Sequence, residues 1–540
     1  MPGGWRERVR RVGRTGWLWP TLLTLVVAGA GVGHAQPWRD ELATWSAASR
    51  PLPDLLRLAG TVDATTAPYY LLLHGWVAVA GDSVTALRLP SVLAVAAAAG
   101  LTAVLGERLF GRRAGLLGGL LFAVLPSTSR YGQEARPYAL ATLLAVAATL
   151  LLVAALRRPG PARWAGYSGA VTALGLAHLV ALTVLAAHAL AVAASPARGA
   201  PPPDARTPPP VGRTLPPDAG TPPPDGSTPP DGTPVPGRAE WRGWQQRRRR
   251  AWLLALLPAA LVLTPLALLA RGQRGRQLAW VDPARLGELP GLPGALTASA
   301  AVGGLLVGLA VVGAAGRGRW GLVLLAAVAL PAGLLFVGGL VTPLWVPRYL
   351  VFTTPFLCLP AGALLASVRL PAALAVVGLA VGLGAPAQLD LRRTHDWPRS
   401  APVDYRGAAR IVDAHQRPGD AVVYHPRQGF LFLDLGLAYH LGADRPRDAL
   451  AVRDQRRAGD LWAVECDRPA RCLAGVDRVW LVTAGRPADP ARRSADPTTG
   501  RPPDPLAGLP AAKRDALAGW SPTDRWTVPG ITVTLLTRPS

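Results

Sequence analysis

Lysine is almost missing from this chain. Lys513 is the only one among 57 basic residues, and the 33 acidic residues leave a formal net charge of +24. The arginines do not gather into one run, as a nucleic-acid face would require, but sit at the ends of apolar stretches, so the charge is read as membrane sidedness. Cysteine is also scarce: Cys358 lies in an apolar stretch, and Cys466 and Cys472 flank a short polar loop. No metal-ligand spacing is present, which argues against a built zinc or iron–sulfur site. Cys466 and Cys472 either close a small disulfide loop, if that region lies outside the cytoplasm, or remain two thiols. Aromatic residues make up only 6%, whereas 50% of the chain is hydrophobic and its mean hydropathy is +0.25. A soluble enzyme of 540 residues would not be so apolar, so the expected class is a polytopic α-helical membrane protein with a polar part attached.

The first apolar stretch, 17–36, follows Arg6, Arg8, Arg10, Arg11 and Arg14. It is longer than a signal-peptide core, and His34-Ala35-Gln36 is a poor cleavage site, so it reads as an uncleaved helix with its N-terminus in the cytoplasm. The piece 68–80, with His74 and Trp76, is too short to cross and reads as a helix lying on the membrane surface. Further apolar stretches fall at 86–105, 114–129, 137–156, 164–195, 251–270, 295–315, 320–341, 349–367 and 370–386. Arg108, Arg112 and Arg113, then Arg157, Arg158 and Arg163, then Arg247–Arg250, then Arg317 and Arg319 mark cytoplasmic turns. For all of these to share a side, 164–195 must cross twice with a break near His178. The expectation is about 11 transmembrane helices, with the C-terminal part opposite the N-terminus.

Four regions follow. Residues 1–195 form an N-terminal transmembrane half whose first outer loop is 37–85. Residues 196–250, with repeats such as Thr228-Pro-Pro-Asp-Gly232, cannot bury a core and read as a disordered cytoplasmic linker. Residues 251–387 form a second transmembrane half. Residues 388–540 read as an extracytoplasmic α/β domain: strands at 420–424, 478–483 and 530–536, a helix over 405–416, and a loop over 485–505.

Under this topology the acidic and aromatic clusters all lie outside. Asp40 and Glu41 follow the first span, Asp63 precedes Pro68-Tyr69-Tyr70, and His74-Gly-Trp76 comes after. Arg88-Leu-Pro-Ser91, Tyr131-Gly-Gln-Glu-Ala-Arg-Pro-Tyr138 and Pro347-Arg-Tyr-Leu350 complete the set. At these residues the sequence resembles the bacterial GT-C glycosyltransferases of the dolichyl-phosphate-mannose-protein mannosyltransferase-like group (glycosyltransferase family 39 type). The resemblance covers most of the membrane part, but neither the linker nor the C-terminal domain. It implies transfer of a sugar, mannose-like or arabinose-like, from a polyprenyl-phosphate donor to an extracytoplasmic acceptor. It implies no tightly held metal or cofactor.

The residues fit that chemistry in their own right. An acceptor hydroxyl attacking an anomeric carbon needs a base, and a carboxylate serves. Asp40 is the candidate, with Glu41 orienting the acceptor. The departing lipid phosphate needs fixed cations, and the planar, permanently charged guanidinium suits it, which selects Arg348 and Arg136. Asp63, Tyr69, Tyr70, His74, Tyr131, Gln133, Glu134 and Tyr138 are candidate substrate-binding residues. Duller roles stay open: Arg136 pairing with Glu134, Arg348 anchoring at the interface, Asp63 capping a helix, His74 and His178 packed in place, and the tyrosines forming an interfacial belt. Two other readings compete: a transporter or flippase of a lipid-linked substrate, and an anchored scaffold whose outer domain binds cell-wall material.

Overall fold

The computed structural model describes residues 15–195, 238–392 (side chains from 243), 403–485 and 504–539. The N-terminal arginines up to Arg14, most of the Pro-rich segment and nearly all of the loop expected over 485–505 lie outside the described residues.

Among the described residues, six helices are long and apolar enough to cross a membrane: Val84–Phe110, Tyr138–Arg157, Gly243–Gln277, Gly318–Val341, Pro347–Leu365 and Leu370–Asp390. A seventh crossing results if Leu286–Thr297 and Ala300–Ala315, bent by 94°, count as one. The difference from the eleven expected lies in helices cut short by local sequence. Leu18–Gly29 has 12 residues, and Arg112–Val124 has 13 before Pro126 opens a new helix. The stretch 164–195 breaks as read: Pro161–Ala177 ends at His178, whose backbone is extended, and a 3₁₀ turn, Leu179–Val184, leads into Leu185–Ala193. The segment expected to be linker as far as 250 is already helical from Arg238, in a helix running to Gln277. Good helix formers, Gln and Arg among them, carry the apolar helix back beyond its hydrophobic edge.

Glycine sets how closely the membrane helices approach. A methyl group on Gly362 would meet the Gly118 nitrogen at 2.4 Å and the Ala114 oxygen at 2.6 Å. Thr354–Leu365 and Arg112–Val124 therefore touch backbone to backbone, as small residues permit where lipid is the solvent.

Above these helices, the loop after the first helix folds into Arg39–Ala48, Leu52–Thr61 and Ala67–Ala80. The last is the helix expected on the membrane surface. It buries Tyr69, Tyr70 and Leu73 and exposes Leu71, Leu72 and Val79. After the helix Tyr405–His415, the C-terminal strands are β1 (Ala421–His425), β2 (Arg447–Asp448), β3 (Ala451–Arg453), β4 (Val464–Glu465), β5 (Arg478–Ala484), β6 (Ser521–Val528) and β7 (Ile531–Thr537). Five form one sheet in the order β2-β1-β5-β7-β6, with β1 parallel to β2 and β5, and β7 antiparallel to β5 and β6. β3 and β4 pair separately. The three strands expected from sequence are thus β1, β5 and β7, the centre of the sheet, whose apolar runs are buried on both faces.

The sheet does not keep its core to itself. Leu42, Leu55, Leu58, Tyr70 and Leu73 of the first loop share one apolar cluster with Tyr405, Val422, Leu437, Trp480 and Val533. Beneath the sheet, the buried Arg427 pairs with Asp434 (3.1 Å), Asp448 (2.7 Å) and Glu465 (2.9 Å), and Lys513 reaches Glu465 at 2.8 Å. Burial pushes the Asp434 carboxyl up and the Lys513 ammonium down from their usual values, with the opposing charges of the cluster offsetting part of each shift. The single lysine of the chain thus closes a charge cluster that fixes the segment following β1.

Gly362→Ala is expected to destabilise the protein by about 1–3 kcal/mol through overpacking, read as a lower thermal midpoint in detergent. Gly378→Ala, where nothing lies within 4 Å of the added carbon, is expected to leave the midpoint unchanged or slightly raised.

Candidate active site

The helix Arg39–Ala48 starts where Trp38 is extended, and Glu41 closes its first turn by accepting the Trp38 N–H at 3.3 Å. The same carboxylate takes two bonds from Arg88, Nε at 2.8 Å and Nη2 at 2.6 Å, and a third from the Ala135 N–H at 2.8 Å. Arg88 also donates to the carbonyls of Val32 (2.8 Å), Ala35 (2.9 Å) and Gln36 (3.2 Å). Both side chains are at most 2% exposed. One ion pair therefore pins the exit of the first helix, the start of the outer loop, the helix Val84–Phe110 and the segment before Tyr138. Glu41 is used up in that clamp and does not line the cavity beside it. Its neighbour Asp40, rotated about 100° around the helix, does.

The cavity measures about 380 Å³. Asp40 faces Arg348 Nη2 at 3.8 Å and its own neighbour Arg39 at 3.8 Å. Arg348 donates through Nε to the Tyr138 hydroxyl at 3.2 Å and lies over the Trp280 ring at 4.9 Å. Arg136 donates to Thr44 Oγ1 at 3.3 Å. Burial alone would lower its pKa, but Tyr70, Asp40 and Asp63 around it raise it well above the ordinary value, so its charge is fixed. The Asp63 carboxylate accepts from the Tyr70 hydroxyl at 2.5 Å and from the Gln277 amide. It caps no helix with its side chain. Burial, then Asp63, pushes the Tyr70 hydroxyl pKa up, so Tyr70 is a donor in the cavity wall.

Asp40, Asp63, Tyr70, Arg136, Tyr138 and Arg348 are thus brought to one cavity, together with His178 at the helix break. Tyr69, His74, Tyr131, Gln133 and Glu134 are not among its lining residues. His74 Nδ1 is bonded to the Ala48 carbonyl at 2.9 Å, and Gln133 donates to the carbonyls of Ala28 and Ala30. Tyr131 packs edge-on against Tyr138 with ring centres 5.4 Å apart, and the buried Glu134 accepts Ser91 Oγ on its carbonyl. Tyr69 is buried with the shared core. In the structure these residues pack behind the lining ones.

Sequence reasoning missed Arg271, Arg274 and Gln277, which approach the cavity from the end of the long helix, and Trp280 just beyond it. The signal was legible: their spacing of three places them on one helix face, at the end opposite Arg247–Arg250. It also missed Phe430, Phe432, Leu461 and Trp462, contributed by irregular segments of the C-terminal domain. These carry no periodicity to read.

In architecture the chain has a helical, membrane-like fold with a sheet-containing C-terminal region, a fold it shares with the solved structures of ArnT. More particularly, residues 67–199 match the family model of dolichyl-phosphate-mannose-protein mannosyltransferase, the group that the motifs from Tyr69 to Tyr138 resemble. Among solved structures the chain is similar to ArnT from Cupriavidus metallidurans in the apo state, with 13% identity over 97% of this chain and 98% of that one, at a TM-score of 0.55. The same protein bound to undecaprenyl phosphate matches at 14% identity over 96% and 98%, also with a TM-score of 0.55. The arabinofuranosyltransferase AftD from Mycobacteria aligns at 18% identity over 98% of this chain and 42% of its own, at a TM-score of 0.47. No curated protein sequence matches the chain significantly.

Arg88→Ala leaves the Glu41 charge buried without its partner, at an expected cost of about 3–5 kcal/mol, seen as aggregation or a collapsed thermal midpoint in detergent. Arg112→Ala removes a pair with Glu107 whose side chains are 61% and 43% exposed, and is expected to shift the midpoint hardly at all.

Proposed function

We propose that the protein transfers a sugar, mannose-like or arabinose-like, from a polyprenyl-phosphate carrier to an extracytoplasmic acceptor, with inversion. The observation that carries this is Asp40 opening onto the same cavity as Arg136 and Arg348. A base and fixed cations are what a single displacement at a phosphate-activated anomeric carbon requires. The acceptor oxygen bonds to the anomeric carbon as the carbon–oxygen bond to phosphate breaks. The bonding pair leaves with the phosphate, and the hydroxyl proton passes to the Asp40 carboxylate. Arg348 and Arg136 hold the phosphate oxygens as their charge grows, with Arg271 and Arg274 adding charge at the rim. Glu41, expected from sequence to orient the acceptor, acts in this reading through Arg88 by holding Asp40 in place.

The cavity shares Leu179 and Ala267 with an apolar groove lined by Leu182, Leu185, Leu256 and Leu263. That groove suits the polyprenyl chain of the donor. The undecaprenyl phosphate bound by the structurally similar ArnT supports a polyprenyl-phosphate donor. An extracytoplasmic C-terminal domain agrees with the Cys466–Cys472 disulfide, a bond at home in oxidising compartments.

The test is purified protein in lipid, supplied with radiolabelled polyprenyl-phosphate mannose or arabinose and an envelope extract. Asp40→Asn is expected to lower transfer by about 100-fold or more while retaining donor binding. Arg348→Ala is expected to weaken donor binding by about tenfold or more, since it removes a charge-assisted contact to phosphate. Donor moved across the bilayer equally by wild type and Asp40→Asn, with no transfer, would sink the reading in favour of a transporter.

A further inference from the structure

The C-terminal domain meets the cavity with rings. Phe432 and Trp462 stack at 5.8 Å with planes 19° apart, and Phe430 stands edge-on to Trp462 at 5.4 Å. Phe430 and Trp462 are only half-buried, and both line the cavity that Asp40 lines. The group is held rigidly. Trp462 donates its indole N–H to the Gly429 carbonyl at 3.1 Å, and Asp460 beside it is tied to the long helix by Arg276 at 2.7 Å and, through its carbonyl, to the first outer loop by Arg50 at 2.7 Å. Phe432 sits at φ +51°, a conformation that favours glycine, so the backbone carries a ring at a position where glycine would be less strained.

We infer that this aromatic wall is the acceptor subsite, and that the acceptor is a saccharide whose ring lies against Trp462 and Phe430. The inference rests on the transferase reading above. A donor arriving along the apolar groove enters at Leu179 and Ala267, on the membrane side. What remains for the opposite boundary, the C-terminal domain, is the acceptor. A sugar ring offers a C–H face for aromatic surface and a rim of hydroxyls for donors and acceptors such as Tyr70. One recurring way to bind an extended peptide is to add it to a strand edge, and none of the residues that the domain contributes to the cavity belongs to a strand. The wall is made for a ring.

The experiment uses the full chain in lipid, labelled polyprenyl-phosphate mannose or arabinose, and three acceptor probes: mannotriose, arabinotriose and a short threonine-rich peptide. Donor hydrolysis to free sugar is followed in parallel. The wild type is expected to glycosylate a trisaccharide in preference to the peptide. Trp462→Ala is expected to raise the KM for that trisaccharide by about tenfold, as loss of a stacking contact implies, a change larger than any in donor hydrolysis. Trp462→Phe should recover most of the loss, and Phe430→Ala, at a half-buried position, should repeat it should Trp462→Ala fold poorly. Preference for the peptide, or a KM unmoved in both alanine variants, overturns the inference while leaving the transferase standing. A fall in donor hydrolysis matching the fall in transfer also overturns it, because the wall is then structural. A wild type that neither transfers nor hydrolyses any donor sinks the transferase reading itself.

Discussion

The arrangement of the cavity depends on one buried ion pair. Glu41 and Arg88 together satisfy each other and five backbone groups drawn from separate stretches of chain. A buried pair is weak evidence for stability, since desolvation opposes the attraction, and its worth lies in specifying one arrangement. Here that arrangement sets the rotation of the first outer helix. With Glu41 turned into the clamp, Asp40 has no choice but the cavity. The two adjacent acids, alike in the sequence, are divided by geometry into one that is buried and paired and one that is accessible to a ligand.

The cavity is also a meeting place of parts far apart in the chain. The first outer loop supplies Asp40, Asp63 and Tyr70; the segments around Tyr138 and Arg348 supply the cations; the long helix supplies Arg271, Arg274 and Gln277; the C-terminal domain closes the far side. Gln273 links two of these directly, accepting from the Ala64 N–H and donating to the Ala59 carbonyl, both at 2.8 Å. The polar end of the long helix is thereby keyed to the loop that carries Asp63.

What was legible in the sequence follows from how each part signals. Apolar length marks spans, so the long helices were found, but it cannot tell one crossing from two short helices meeting at a bend, as at Leu286–Thr297 and Ala300–Ala315. The strands β1, β5 and β7 were legible because central strands are uniformly apolar; β2, β3 and β4, two or three residues each, were not. At the site, charge near a span end identified Asp40, Arg136 and Arg348 as candidates. A motif does not encode which of its residues reach a cavity wall: Tyr131, Gln133 and Glu134 share a run with Arg136 and Tyr138 but lie behind the lining, although Tyr131 and Tyr138 are equally buried. The aromatic wall comes from loops, where neither period nor charge gives warning.

The shared apolar core carries a consequence for how the molecule is made. Leu42, Leu55 and Leu73 are translated before every C-terminal residue that shares their cluster, Tyr405 and Val533 among them. Until those residues are delivered, the outer helices lack the apolar surface that covers them. Long-range closure of this kind is slow relative to local helix formation. The cavity therefore acquires its far wall, Phe430, Phe432, Leu461 and Trp462, only after the segments that carry Asp40 and its arginines have been made.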